Sequence, residues 1–167
     1  MTTLVFLVLA GWCGVLSRCD IRTRRLPNAL TLAGAVSILA YAAVCGQFAV
    51  AARGAVLLAL PYLVIHLAWP AALGAGDVKL AVGLGAAAAL GGGRAWLWSA
   101  LAAPLFTAAT GIGLLLAAHS TELWRRIAYR TPEPGVPARA RGPGDRYAAV
   151  PHGPSMCAAT LLGLALW

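Results

Sequence analysis

The sequence predicts an all-α, polytopic integral membrane protein with about six transmembrane helices. Three observations predict it. Of 167 residues, 60% are hydrophobic and 11% charged, against roughly a quarter charged in an ordinary soluble domain, and the mean hydropathy is +0.79. Apolar runs close to the ~20 residues that cross a ~30 Å hydrocarbon core recur along almost the whole chain. The charges fall between those runs and are distributed unevenly between alternate loops.

Six segments follow from that ruler: 3–19, 29–45, 54–70, 78–93, 95–118 and 148–167. The first, "TLVFLVLAG", has no basic residues before it, so it reads as a retained helix rather than a signal peptide. "LPN" opens the second helix, since a proline at the first helical position sacrifices no hydrogen bond. The third is continuous apolar sequence from Gly54 to Pro70. The fourth is short: sixteen residues rise only about 24 Å. It carries Ala81, Gly85, Ala89 and Gly93 at i, i+4 spacing, a stripe that lets backbones approach closely. That predicts a central helix surrounded by protein. A fifth run is followed by a basic loop, approximately 119–147, whose "TPEPGVPARARGPG" reads as a flexible spacer. The sixth run ends the chain, and the whole reads as one membrane-embedded domain, 1–167.

The basic residues set the expected topology. Loops after segments one, three and five hold eleven of the Lys and Arg residues, and those after segments two and four hold Arg53 and Arg94. The positive-inside bias therefore puts the odd loops in the cytoplasm and both termini outside a plasma membrane. The same placement argues against nucleic acid as the partner of the +8 net charge. Cys13, Cys19, Cys45 and Cys157 are scattered with no CxxC pair, which supports neither a zinc site nor a disulfide framework.

Against this background two carboxylates stand out. Of five acidic residues, Glu122, Glu133 and Asp145 fall in the basic loop. Asp20 ends the first segment and Asp77 begins the fourth, which puts both at the cytoplasmic boundary. A charge inside the bilayer costs about 2.5–3.5 kcal/mol on insertion scales, so such residues have a task or a partner. Three readings fit. Asp77 can complement a helix dipole while Asp20 pairs with Arg22 or Arg24. The two can bind a cation in a transport or assembly component. Or they can share a proton and activate water, as paired carboxylates do in aspartic proteases. Gly74 and Gly76, without Cβ atoms, leave room beside Asp77 for an extended substrate. Lys79 reads as a snorkelling or ion-pairing residue.

Two motifs select among these. "DIRTRRLPN", Asp20 to Asn28, and "GAGDVKL", Gly74 to Leu80, resemble the two aspartate boxes of the type IV prepilin peptidases, membrane aspartic proteases of the GxGD class. "VPHGPSMCAA", Val150 to Ala159, is similar to the family's Pro-aromatic-Gly-Pro start of the last helix, with His152 in place of the aromatic. His152 then either senses pH or simply opens the helix, and His66 and His119 match no role. The resemblance implies catalysis by Asp20 and Asp77, with Pro27, Asn28, Gly74, Gly76 and Lys79 in support. It also implies cleavage of short basic leaders from pilin-like precursors at the cytoplasmic face, with no metal or organic cofactor. The chain resembles the short, peptidase-only form, without the CxxC-bearing N-methyltransferase domain. Membrane lipid or local carboxylates are expected to offset repulsion between a basic leader and this basic face. Nothing in the sequence bears on oligomeric state.

Overall fold

The computed structural model describes residues 3–23, 26–70, 73–128 and 152–166. They form six helices and no strand: α1 (Thr3–Thr23), α2 (Asn28–Val44), α3 (Phe48–Ala68), α4 (Ala75–Leu90), α5 (Gly93–Ala128) and α6 (Gly153–Leu166). The all-α expectation holds. Three stretches, Thr3–Thr23, Phe48–Ala68 and Gly93–Ala117, are long and apolar enough to cross a membrane, while α2 and α6 are shorter apolar helices. The chain divides into two compact units, Met1–Thr107 with Pro151–Trp167, and Ala108–Val150.

Helix ends differ from the apolar runs for identifiable reasons. α1 continues through Asp20 to Thr23, whose hydroxyl donates back to the Cys19 carbonyl, so Asp20 lies inside the helix rather than after it. Pro27 sits one position ahead of the expected site: it is the N-cap of α2, and its carbonyl accepts the Leu30 and Thr31 amides at 3.0 and 3.1 Å. Arg53 lies within α3, which starts at Phe48. Its long stem lets a charge ride near a helix end without breaking it. α5 runs on to Ala128, so residues 119–128 of the expected basic loop are helical, and the remainder lies outside the described residues.

Between α2 and α3 the chain turns at Gly46, with φ +70°. The Gln47 amide donates to Ala42 and the Gly46 amide to Ala43, closing the α2 carbonyls in a Schellman motif that a side chain at Gly46 would strain.

The larger unit is built around α4, which packs on α2, α3 and α6. Leu80, Ala81 and every residue from Gly83 to Ala88 are buried, so this short helix is wrapped on all sides by protein. The close approach expected of its small residues occurs against α3. A Cβ on Gly85 would lie 2.6 Å from the Gly54 carbonyl oxygen and 2.8 Å from Leu58 Cβ. Trp96 Nε1 donates to that same Gly54 carbonyl at 3.1 Å, and Trp12 Nε1 ties α1 to the Leu30 carbonyl of α2 at 3.0 Å. Outward-facing Leu4, Leu7 and Val8 on α1, and Val56, Leu57, Leu60 and Val64 on α3, are exposed. An apolar surface of that extent is unusual on a soluble monomer and suits lipid.

This packing gives a direct expectation. Gly85→Val places side-chain atoms against backbone that cannot yield, and lowers stability by about 1–3 kcal/mol or more. Gly14→Ala, where nothing lies within 4 Å of the new carbon, leaves it nearly unchanged. Thermal unfolding of the two variants in the same detergent checks the contrast.

Candidate active site

Asp20 occupies the last turn of α1 and is only 7% exposed. Its Oδ2 accepts a hydrogen bond from the Gly153 amide at 3.1 Å, across 133 residues of sequence. Gly153 is the first residue of α6, so the N-terminus of that helix, with its partial positive charge, points at the Asp20 carboxylate. The approach is close enough that a Cβ on Gly153 would lie 2.8 Å from Asp20 Oδ2. A side chain there would displace the carboxylate.

Asp77 stands in the first turn of α4, ahead of the apolar run that begins at Val78. Its Oδ2 accepts the Gly74 amide at 3.2 Å, while its own amide donates to the Gly74 carbonyl at 3.1 Å. The pair closes the helix start reciprocally, with the backbone carbonyl of Gly74 serving where a capping side chain would. A Cβ on Gly74 would stand in ordinary contact with Asp77 Oδ2 at 3.4 Å, whereas one on Gly76 would meet Leu26 tightly at 3.1 Å.

These elements converge. Asp20, Asp77, Asn28 and the backbone of Gly74 to Gly76, with Leu26 as the apolar wall, line one cavity of about 290 Å³, far more than the ~30 Å³ a single water occupies. Lys79 and Pro27 are not in its wall. Lys79 Nζ instead donates to Asn28 Oδ1 at 2.9 Å, tying the start of α2 to α4 at the edge of the cavity. The helix-cap reading of Asp77 is thus part of the geometry, and so is a neighbouring carboxylate. Burial, then the charge of Asp20, push Asp77 up to about 6 against the opposing pull of the Gly74 amide. A cavity holding one carboxylate faced by a helix N-terminus and a second that keeps its proton nearer neutrality has the parts for acid and base chemistry on one water.

Two residues that sequence reasoning did not single out flank this cavity. Gly153 belongs to the "HGP" match, but only the folded chain shows its amide meeting Asp20. Tyr62 of α3 is buried, lies within electrostatic reach of Asp77 and bonds to His152 through its hydroxyl at 3.2 Å. One tyrosine within an apolar run carries no signal to distinguish it from a packing residue. His66 Nδ1 lies 2.7 Å from the Leu73 carbonyl, a support for the turn into α4. Cys13 and Cys157 are buried free thiols in the core, and Cys19 and Cys45 are free as well. Among the described residues, no cluster of three or more His, Cys, Asp or Glu side chains is placed to hold a metal ion.

The family model described as the type IV leader peptidase family matches residues 7–118. That span includes both aspartates and stops short of α6. No curated protein and no solved structure matches the chain.

Proposed function

The chain belongs to the type IV leader peptidase family, and from that premise we propose that Asp20 and Asp77 are the catalytic aspartates of a membrane endopeptidase that removes short basic leaders from pilin-like precursors. The observation that carries this reading is the shared cavity of the two carboxylates, which also offers glycine backbone to an extended peptide. Family membership supports leader-peptidase activity in general. The aspartic mechanism, the cytoplasmic side and the pilin-like substrate are the proposal.

The chemistry assigns unequal roles. Asp20, faced by the Gly153 amide, is the base: it takes a proton from water as the water oxygen bonds to the scissile carbonyl carbon. Asp77 gives its proton to the carbonyl oxygen. The tetrahedral intermediate collapses as Asp77 recovers its proton and Asp20 passes the other to the leaving nitrogen, so the C–N bond breaks with both carboxyls restored. The precursor's apolar segment lies in the bilayer and its leader on the basic side.

The test is a cleavage assay. The protein is co-expressed with precursors carrying a short basic leader, and their mass is followed. Loss of the leader supports the reading, and intact precursors across several such substrates sink it.

A pH dependence follows from the roles. Asp77 must hold a proton to act as the acid, and a carboxyl raised to about 6 loses it as pH climbs through and beyond that value. Cleavage in a purified system should therefore fall on the alkaline side, with a midpoint at or above 6 because bound substrate displaces water and favours the neutral form further. A rate still climbing between pH 6 and pH 9 would rule out Asp77 as the acid.

A further inference from the structure

His152 immediately precedes the glycine whose amide meets Asp20, and its ring is held at both ends. Nε2 lies 3.2 Å from the Tyr62 hydroxyl of α3, and Nδ1 lies against Thr107 Oγ1 of α5. One arrangement of the hydroxyl protons satisfies every group. With Thr107 Oγ1 donating to the Ala103 carbonyl at 3.1 Å, it accepts from a neutral His152 that carries its proton on Nδ1. Nε2 of the neutral ring is then the acceptor, and Tyr62 O–H donates to it. The rings of Tyr62 and His152 pack at 5.5 Å between centroids, tilted by 42°. The His152 carbonyl meanwhile accepts the Met156 amide at 3.2 Å, opening α6.

We infer that His152 is a positioning residue for Asp20, acting through the Gly153 amide that follows it. Its side chain pins the backbone at residue 152 to α3 and α5, and the next amide is thereby aimed at Asp20 Oδ2. The place of a Gly153 Cβ lies only 2.8 Å from that carboxylate, so the backbone here approaches Asp20 as closely as glycine alone allows. Tyr62 also lies within electrostatic reach of Asp77. A residue that merely opens a helix needs neither ring nitrogen bonded.

The activity arm of the test rests on the reading of Asp20 as catalytic, so a second arm reads Asp20 itself. In nanodiscs, a membrane-permeant carbodiimide labels Asp20, and the adduct is measured by peptide mass. His152→Ala should change the labelling rate of Asp20 by about threefold or more, the low end of what one hydrogen bond is worth, with an unaltered unfolding midpoint. On a cleaved precursor the same variant should lower kcat by at least about tenfold, with KM within about twofold, as expected when a reacting group is displaced without loss of substrate contacts. Tyr62→Phe should produce part of the effect alone and add nothing to His152→Ala. If His152→Ala does not accumulate, Tyr62→Phe, which removes a single oxygen, is read in its place, with a smaller change in the same direction expected. Wild type that cleaves nothing refutes the peptidase reading and leaves the labelling arm to decide on His152. Unchanged labelling of Asp20 in a folded variant, or fully additive effects, overturns the positioning role.

Discussion

Asp20→Asn and Asp77→Asn should each abolish leader cleavage, by about 10³-fold or more, while the protein accumulates and unfolds as wild type does. The size of the loss follows from the chemistry: an amide neither takes a proton from water nor delivers one to a carbonyl oxygen, and residues that act as a unit fail together. The preserved fold follows from the contacts. Asp20→Asn keeps a side-chain oxygen for the Gly153 amide, and Asp77→Asn keeps one for the Gly74 amide, so neither helix end is left unsatisfied. The double variant should be no worse than either single one. These expectations separate the readings open at the level of sequence. A pair that only caps helices tolerates both changes, and a cation site loses binding without any cleavage to lose. Cleavage that survives either substitution would remove the dyad from the mechanism.

Much of this architecture was legible in the chain because hydropathy reports directly on lipid and protein contact. Six helices occupy the six apolar runs, and the small residues Ala81 and Gly85 marked the helix whose middle is buried in protein, although Gly93, expected in the same stripe, is exposed at the start of α5. The boundaries were less legible where a charge sits inside a helix. Asp20 and Arg53 look like loop markers, yet one is satisfied by an amide from a distant helix and the other lies within the second turn of α3. The extension of α5 to Ala128 has no hydropathic signal, since "HSTELWRRIA" is polar sequence made of adequate helix formers. At the site, the two carboxylates were visible as rare acids at the ends of apolar runs, Asp77 with glycines beside it. The amides that hold them were not. Gly74 lies near enough in sequence for capping logic to reach it, whereas Gly153 is 133 residues from its partner, and no local pattern reports a contact of that range. Lys79 shows the same limit from the other side: its nearest acid in sequence is Asp77, but its hydrogen bond goes to Asn28.

Gly153→Ala should be the most damaging change outside the carboxylates themselves, and it should act on catalysis rather than on folding. The added carbon falls 2.8 Å from Asp20 Oδ2 and 3.3 Å from its Cγ, both inside contact distance, so something must move. At Gly85 the obstacle is another helix's backbone, and the cost appears as instability. At Gly153 the obstacle is the end of a short side chain, which yields by turning away from the amide. The fold is kept, and the carboxylate leaves the position from which it reaches a water in the cavity. A displacement on the order of 1 Å at a reacting group costs about 10²-fold, so kcat should fall by about that factor while KM and the unfolding midpoint change little. Measuring the three quantities on one preparation distinguishes the mechanisms. A collapse of the midpoint would mean that α6 is held mainly by this contact, and unimpaired turnover would mean that the Gly153 amide has no part in placing Asp20.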